Sequence, residues 1–208
     1  MKLPTAKQTA KLIELATQYA DASTEHQRAY HAAKEQLAGD YKAAGKTPEV
    51  VAASAERDRI YPVMTAEMER LNKRFKGLGL INPAGFVGWG GGVQPFVDHL
   101  NRMIRDLAIQ HWAGTIETEI KELRASLGDD VKPGQLNAGD FAFHNEGGVV
   151  KVSRVFTHKA KGVNLHTSEP VSIDRPHKRI SQQTAERIVA LAESKQTYLA
   201  ERGLANVA

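Results

Sequence analysis

Apolar and small residues recur every three or four positions along the first part of the chain. Leu12, Leu15, Tyr19, Ala22, His26, Ala29, Ala33 and Leu37 form one such seam, the spacing that lines up side chains on one face of an α-helix. It predicts a helix over Thr5 to Ala38, broken by Gly39-Asp40 and Gly45. Thr47-Pro48-Glu49 then starts a second helix, with a cap candidate, a proline at the first helical position and an acid beside the positive end of the dipole. That helix is expected to reach about Lys76 and to kink or split at Pro62, where the ring removes a donor and crowds the preceding turn. Beyond Pro62, Met64, Met68, Leu71, Phe75 and Leu78 step by four and three. Two such helices joined by a short loop predict an antiparallel hairpin. The second seam, taken back to Tyr61, is too long for an Ala-rich helix to cover, so a coiled-coil-like homo-oligomer is expected as well.

The pattern then breaks. Gly77 to Gly92 is dominated by glycine and carries Phe86 and Trp89, which predicts a hinge or a close helix–helix passage over 77–92. A third helix follows, with Pro95 in its first turn and Gly128 closing it. Its apolar face shifts near Gly114, where a bend or a change of packing partner is expected. From Val131 the spacing changes from the helical period to short β-branched runs. Phe141 to His144, Val149 to His158, and Val163 to His166 or Val171 to Ile173 read as strands, with Asn145-Glu146-Gly147-Gly148 a hairpin turn and Asp174 to Arg179 a basic turn. Ser181 caps a last helix ended by Gly203, with Ala185, Ile188, Ala192 and Leu199 on its inner face. The predicted class is α+β: a long helical hairpin, coiled-coil-like part over 1–128, a small antiparallel β module over 129–180, and a docked C-terminal helix over 181–208.

Composition narrows the compartment more than the activity. The chain has 208 residues, no cysteine, and a net charge of +4. Without cysteine there is no disulfide framework or thiolate metal site, and a reducing cytoplasm is the expected location. No signal-peptide pattern and no run of ~18 apolar residues argues for a membrane. Charge is distributed unevenly: +3 over 1–92, −3 over 93–130, +4 over 131–180, and zero over 181–208.

The basic surplus of the β module is concentrated in Gly147 to Ser168, which contains no acidic residue and carries Lys151, Arg154, Lys159 and Lys161, with His158 and His166 able to add charge below about pH 6.5. Cations neutralise phosphates and release counterions, and aromatic faces such as Phe156 stack unpaired bases. Phe141 and Phe143 serve equally well as stacking groups or as the core of a small sheet. Strict alternation would put Val150, Val152, Arg154 and Phe156 on one side. Arg175, Lys178 and Arg179 precede a helix N-terminus, where cations oppose the dipole, a placement that favours a binding role. Lys73, Arg74 and Lys76 end the second helix, where the dipole welcomes cations, and Trp89 is a further stacking candidate.

Catalytic patterns are missing. The glycine-rich stretch has no following Lys-Ser/Thr and no preceding strand, so it is no phosphate-binding P-loop. His158, His166 and His177 have neither helical i,i+4 spacing nor cysteine partners, so no metal is expected. Leu165-His166-Thr167-Ser168 lacks the glycines of a nucleophile elbow, and Glu117/Glu119 and Asp129/Asp130 fall in solvated contexts. These features predict a non-enzymatic nucleic-acid-binding protein without cofactor. It should prefer single-stranded DNA, bind by phosphate contacts and base stacking, and serve replication or transcription machinery as an accessory. A helical adaptor that binds a protein partner is the first alternative, and a small enzyme with an unrecognised site the second.

Overall fold

The computed structural model describes residues 2–87, 92–144 and 148–205. Among these are seven α-helices and one six-stranded antiparallel sheet, the predicted α+β class. The chain divides into two compact units, one through Ala108 and the other Ile109–Ala205. The division lies within a helix, whereas the change of sequence character comes at Val131.

In the first unit, α1 (Ala6–Gln36) starts at Thr5, whose N–H donates to Gln8 Oε1 at 2.9 Å. It stops where Ala38 and Gly39 turn to positive φ and the Gly39 N–H donates back to the Lys34 carbonyl. A single turn, α2 (Tyr41–Ala44), is capped by the Asp40 carboxylate and leads to α3 (Pro48–Arg74). The two long helices run antiparallel. Leu12, Ala16 and Ala20 of α1 cluster with Met64 and Leu71 late in α3, whereas Ala33 clusters with Val50 at its start.

Pro62 does not split α3, which is continuous from Pro48 to Arg74. Pro62 and Asp58 are exposed, so the carbonyl deprived of its donor faces water, while buried Ile60, Met64, Glu67 and Leu71 anchor the helix on both sides of the proline. The α3 seam is also covered within the chain. After α4 (Ala84–Val87), helix α5 (Gln94–Thr115) lays Phe96, Leu100 and Leu107 against Met64, Leu71, Phe75 and Leu78. Only Tyr61 of that seam is left 43% exposed, so the seam no longer requires a second copy. The start of the glycine-rich stretch is fastened: the Asn72 carboxamide accepts from Leu80 N–H at 2.9 Å and donates to the Leu80 carbonyl at 2.8 Å.

Glu67 is 6% exposed on α3 and receives Arg70 Nε–H and Nη2–H at 2.8 and 2.6 Å. These hydrogen bonds, helped by the Arg70 and Lys11 charges and opposed by burial, hold its carboxyl below the ordinary value. A carboxyl depressed on folding stabilises above its unfolded pKa, and that stabilisation is lost as pH falls through the folded one. Glu67→Gln is expected to cost about 1 kcal/mol at pH 7, since Arg70 is half solvated. Chemical denaturation at a series of pH values should show the gap between the two proteins narrowing as pH falls below about 4.3, the ordinary Glu value; a constant gap would refute the assignment.

In the second unit the third helix ends earlier than Gly128. Ile116, with φ −125°, interrupts it between α5 and α6 (Glu117–Ala125), near the predicted shift of face at Gly114. The strands are β1 (Asp130–Val131), β2 (Phe141–His144), β3 (Gly148–Val155), β4 (Ala160–Asn164), β5 (Pro170–Ile173) and β6 (His177–Ile180), in the order β1-β6-β2-β3-β4-β5. The predicted basic turn is therefore partly a strand. The turn itself contracts to Asp174–Pro176, because His177 and Ile180 are buried and β6 hydrogen-bonds on both sides, to β2 and β1. Helix α7 (Gln182–Ala200) starts at Ser181, whose Oγ accepts from Thr184 N–H, and its Ala185, Ile188 and Val189 dock on Val149 and Ile180. The other sheet face buries Leu136, Ala142, Val150, Val152, Ala160 and Ile173. No described helix is long and apolar enough to cross a membrane.

Candidate nucleic-acid interface

Directly opposed residues of antiparallel strands share a face. Val150 pairs with Ala142 and Val152 with Gly162, all on the buried side, while Lys151 lies between Phe141 and Val163 on the other. Continued alternation would drive Arg154 into the apolar core. Instead the register slips by one residue at Ser153: Val152 opposes Gly162, and Arg154 opposes Lys161. This β-bulge puts Val155 back on the core side opposite Ala160 and turns Arg154 onto the face of Lys151 and Lys161. The expected sharing of a face by Val150, Val152 and Arg154 is thus corrected. The step of three from Val152 to Val155, after the step of two from Val150, was its sequence signal.

Lys151, Arg154, Lys159 and Lys161 are exposed, and none forms an ion pair with a described residue. Arg154 and Lys161 occupy directly opposed positions, where like charges destabilise a sheet. The β3–β4 turn is closed by the Phe156 N–H donating to the Lys159 carbonyl at 2.8 Å. It brings Phe156, His158 and Lys159 to the end of the face. Phe156 is 38% exposed, with Lys159 Nζ 5.6 Å from its ring centroid. The short helical turn Pro133–Gln135 supports this corner. A Cβ on Gly134 would lie 2.4 Å from the Thr157 carbonyl oxygen, so only glycine allows that approach.

Phe141 and Phe143 are half-buried against Val149, Ile180 and α7. They are packing residues, although Lys151 Nζ lies 5.8 Å from the Phe141 ring centroid. Lys178 reaches Asp130 at 3.5 Å and the Gly128 carbonyl at 3.2 Å. Arg179 pairs with Asp140 at 3.0 Å and donates to the Gln135 carbonyl. Arg175 lies 3.9 Å from Asp174, and its carbonyl accepts from the buried His177 Nδ1. Lys178 and Arg179 therefore fasten β6, and the Arg175 backbone its turn, unlike the four cations of the β3–β4 hairpin. Lys73, Arg74 and Lys76 are exposed in the first unit, with Arg74 over the Phe75 ring. Trp89 and the turn residues Asn145, Glu146 and Gly147 lie outside the described residues.

Two neighbours escaped the sequence reading. Val163 and Ser172 lie beside Lys151 and Lys161 across the paired strands and are exposed. Alternation within 160–164 and 170–173 carries their signal, but only the strand register joins them to the face. Among the described residues no cluster of three or more His, Asp or Glu could hold a metal ion. No known protein family, curated protein or solved structure matches the chain.

Proposed function

We propose that the unit Ile109–Ala205 binds single-stranded nucleic acid, DNA in preference, by sequence-independent contacts and without chemistry of its own. One observation carries this reading: a bulge sets Arg154 opposite Lys161 on the face of Lys151, all three exposed beyond the part of that face that α7 covers, with no described carboxylate paired to any of them. Such an arrangement opposes local stability and becomes favourable when phosphates bridge the charges. The exposed Phe156 ring at the end of the row supplies a base-sized surface. The cations describe a path along the β3–β4 hairpin rather than a rod entering a groove, which favours a flexible strand over a duplex. A cytoplasmic accessory of replication or transcription is the setting in which such binding is useful.

Titration of labelled single- and double-stranded oligonucleotides over a range of salt tests the reading. If Lys151, Arg154, Lys159 and Lys161 each neutralise one phosphate, log K should fall against log salt with a slope near −3, at about −0.7 per contact. Phe156→Ala should weaken single-strand binding by ~1–3 kcal/mol and leave the slope unchanged. Its partial exposure keeps the folding cost small. Binding that ignores salt would end this reading, and tighter binding to duplex would reverse the strand preference.

A further inference from the structure

A groove opens along the middle of the α1–α3 pair. The pair's apolar contacts fall into two clusters, one through Leu12, Ala16, Ala20, Met64 and Leu71, the other through Ala33, Ala44 and Val50. Along α1 between them lies an open groove of about 540 Å³, lined chiefly by Tyr19, Ser23, His26, Tyr30 and His31 of α1, with Arg57 of α3 and Ala84 of α4. This is the size of a small-molecule site.

The lining is chemically specific. His26 and Tyr30, one turn apart on α1, hold their rings nearly parallel at 6.4 Å, and Tyr19 meets Tyr61 of α3 at 6.0 Å. The Ser23 hydroxyl, the Tyr19 and Tyr30 hydroxyls and the His26 and His31 rings make no hydrogen bond to a described residue, so their polar atoms are open to the groove. Arg57 is the cation of the wall. Its Nε and Nη2 engage the Asp58 carboxylate at 3.3 and 3.2 Å, and Nη2 also reaches Ser54 at 3.4 Å, which leaves the Nη1 hydrogens uncommitted. Burial and the neighbouring Arg57 charge, opposed by Asp58, hold His26 below its ordinary pKa, so its ring enters as a neutral donor and acceptor.

We infer that this groove is a binding site for a small aromatic anion, a planar ring carrying one anionic group, of the size of a nucleoside monophosphate. The ring would lie against Tyr30 and His26, its polar edge would meet the Ser23 and tyrosine hydroxyls, and its anion would take the Nη1 donors of Arg57. The site is built wholly from the first unit and does not depend on the basic face of the second.

Three probes separate the parts of this assignment: adenosine monophosphate, adenosine, and inorganic phosphate, each titrated into the full chain by calorimetry with NMR shifts recorded in parallel. The monophosphate should bind at least about tenfold more tightly than either adenosine or phosphate, with shifts at Tyr19, His26 and Tyr30. Arg57→Gln should reduce it to the level of adenosine, and Tyr30→Ala should weaken nucleotide and nucleoside alike. Arg57 belongs to neither apolar cluster, Tyr30 also packs against Ala33, Ala44 and Val50, and an unchanged thermal midpoint checks that the variants fold. The same titration on a chain with Lys151, Arg154 and Lys161 replaced by alanine should be unaffected. Equal binding of phosphate and monophosphate, insensitivity to Arg57→Gln, or loss of binding in the triple alanine chain would each overturn the site; the last result alone would leave the basic face as the place where the nucleotide binds.

Discussion

Gly162→Ala should unfold the sheet, or come close to it. A Cβ at that position would stand 2.3 Å from the Lys151 carbonyl oxygen and 2.6 Å from Val150 Cγ1, below the 3.0 Å that real Cβ atoms respect. The nearer atom is backbone of the paired strand, so relief requires β3 and β4 to separate, and the buried Val150, Val152 and Ala160 must follow. Overpacking that cannot be absorbed by a side-chain rotation costs ~3 kcal/mol or more. Gly114→Ala is the matched control: it lies in α5 with nothing within 4 Å of a Cβ, and removing a helical glycine should be neutral or stabilising by ~0.5–1 kcal/mol. Urea unfolding followed by near-ultraviolet dichroism would compare the two. A Gly162→Ala midpoint equal to the parent's would mean that the close approach of β4 to β3 is wrong, and the opposition of Arg154 to Lys161 with it.

Replacing Lys151, Arg154 and Lys161 together by alanine should cripple binding and leave the fold intact or firmer. Three lost phosphate contacts remove about 2 from the slope of log K against log salt, which corresponds to roughly 100-fold in affinity at 0.1 M salt. The loss should be the same for every base composition, because phosphate contacts carry no base information. Stability should move in the opposite direction, since the substitution removes a pair of like charges at directly opposed positions. An adaptor surface built on these residues would show no nucleic-acid slope in the parent to begin with. If the triple variant binds oligonucleotides with the parent's affinity and slope, the site is elsewhere on the protein.

The long helices were legible because their apolar positions repeat over many turns, so a single misread residue does little damage. Thr5, Thr47 and Ser181 stand at their starts, but only Ser181 caps through its side chain; the Thr47 hydroxyl donates back to the Ala44 carbonyl. Pro62 misled because the cost of a proline depends on which side of the helix its orphaned carbonyl faces, and that is decided by packing beyond the helix. The β module was legible as strands but not as a sheet. Nothing local in His177-Lys178-Arg179-Ile180 announces that β2 and β1 flank it. For that reason Lys178 and Arg179 resembled the hairpin cations until Asp130 and Asp140 were found beside them. Arg154 shows the reverse case. Its composition and charge pointed to the surface while alternation pointed inward, and the spacing Val150, Val152, Val155 held the resolution. The groove along α1 was hidden because Tyr19 and His26 fit the helical seam as well as any apolar residue. What lies across from them belongs to a segment far along the chain.

The sheet ends have a consequence for crowding. Its outermost strands are β1, only two residues long, and β5, which opens with Pro170 and so lacks one backbone donor along its outer rim. A short rim and a missing donor give a neighbouring chain little to pair with. Molecules at high local concentration can therefore lie side by side without their sheets merging into fibrous polymers.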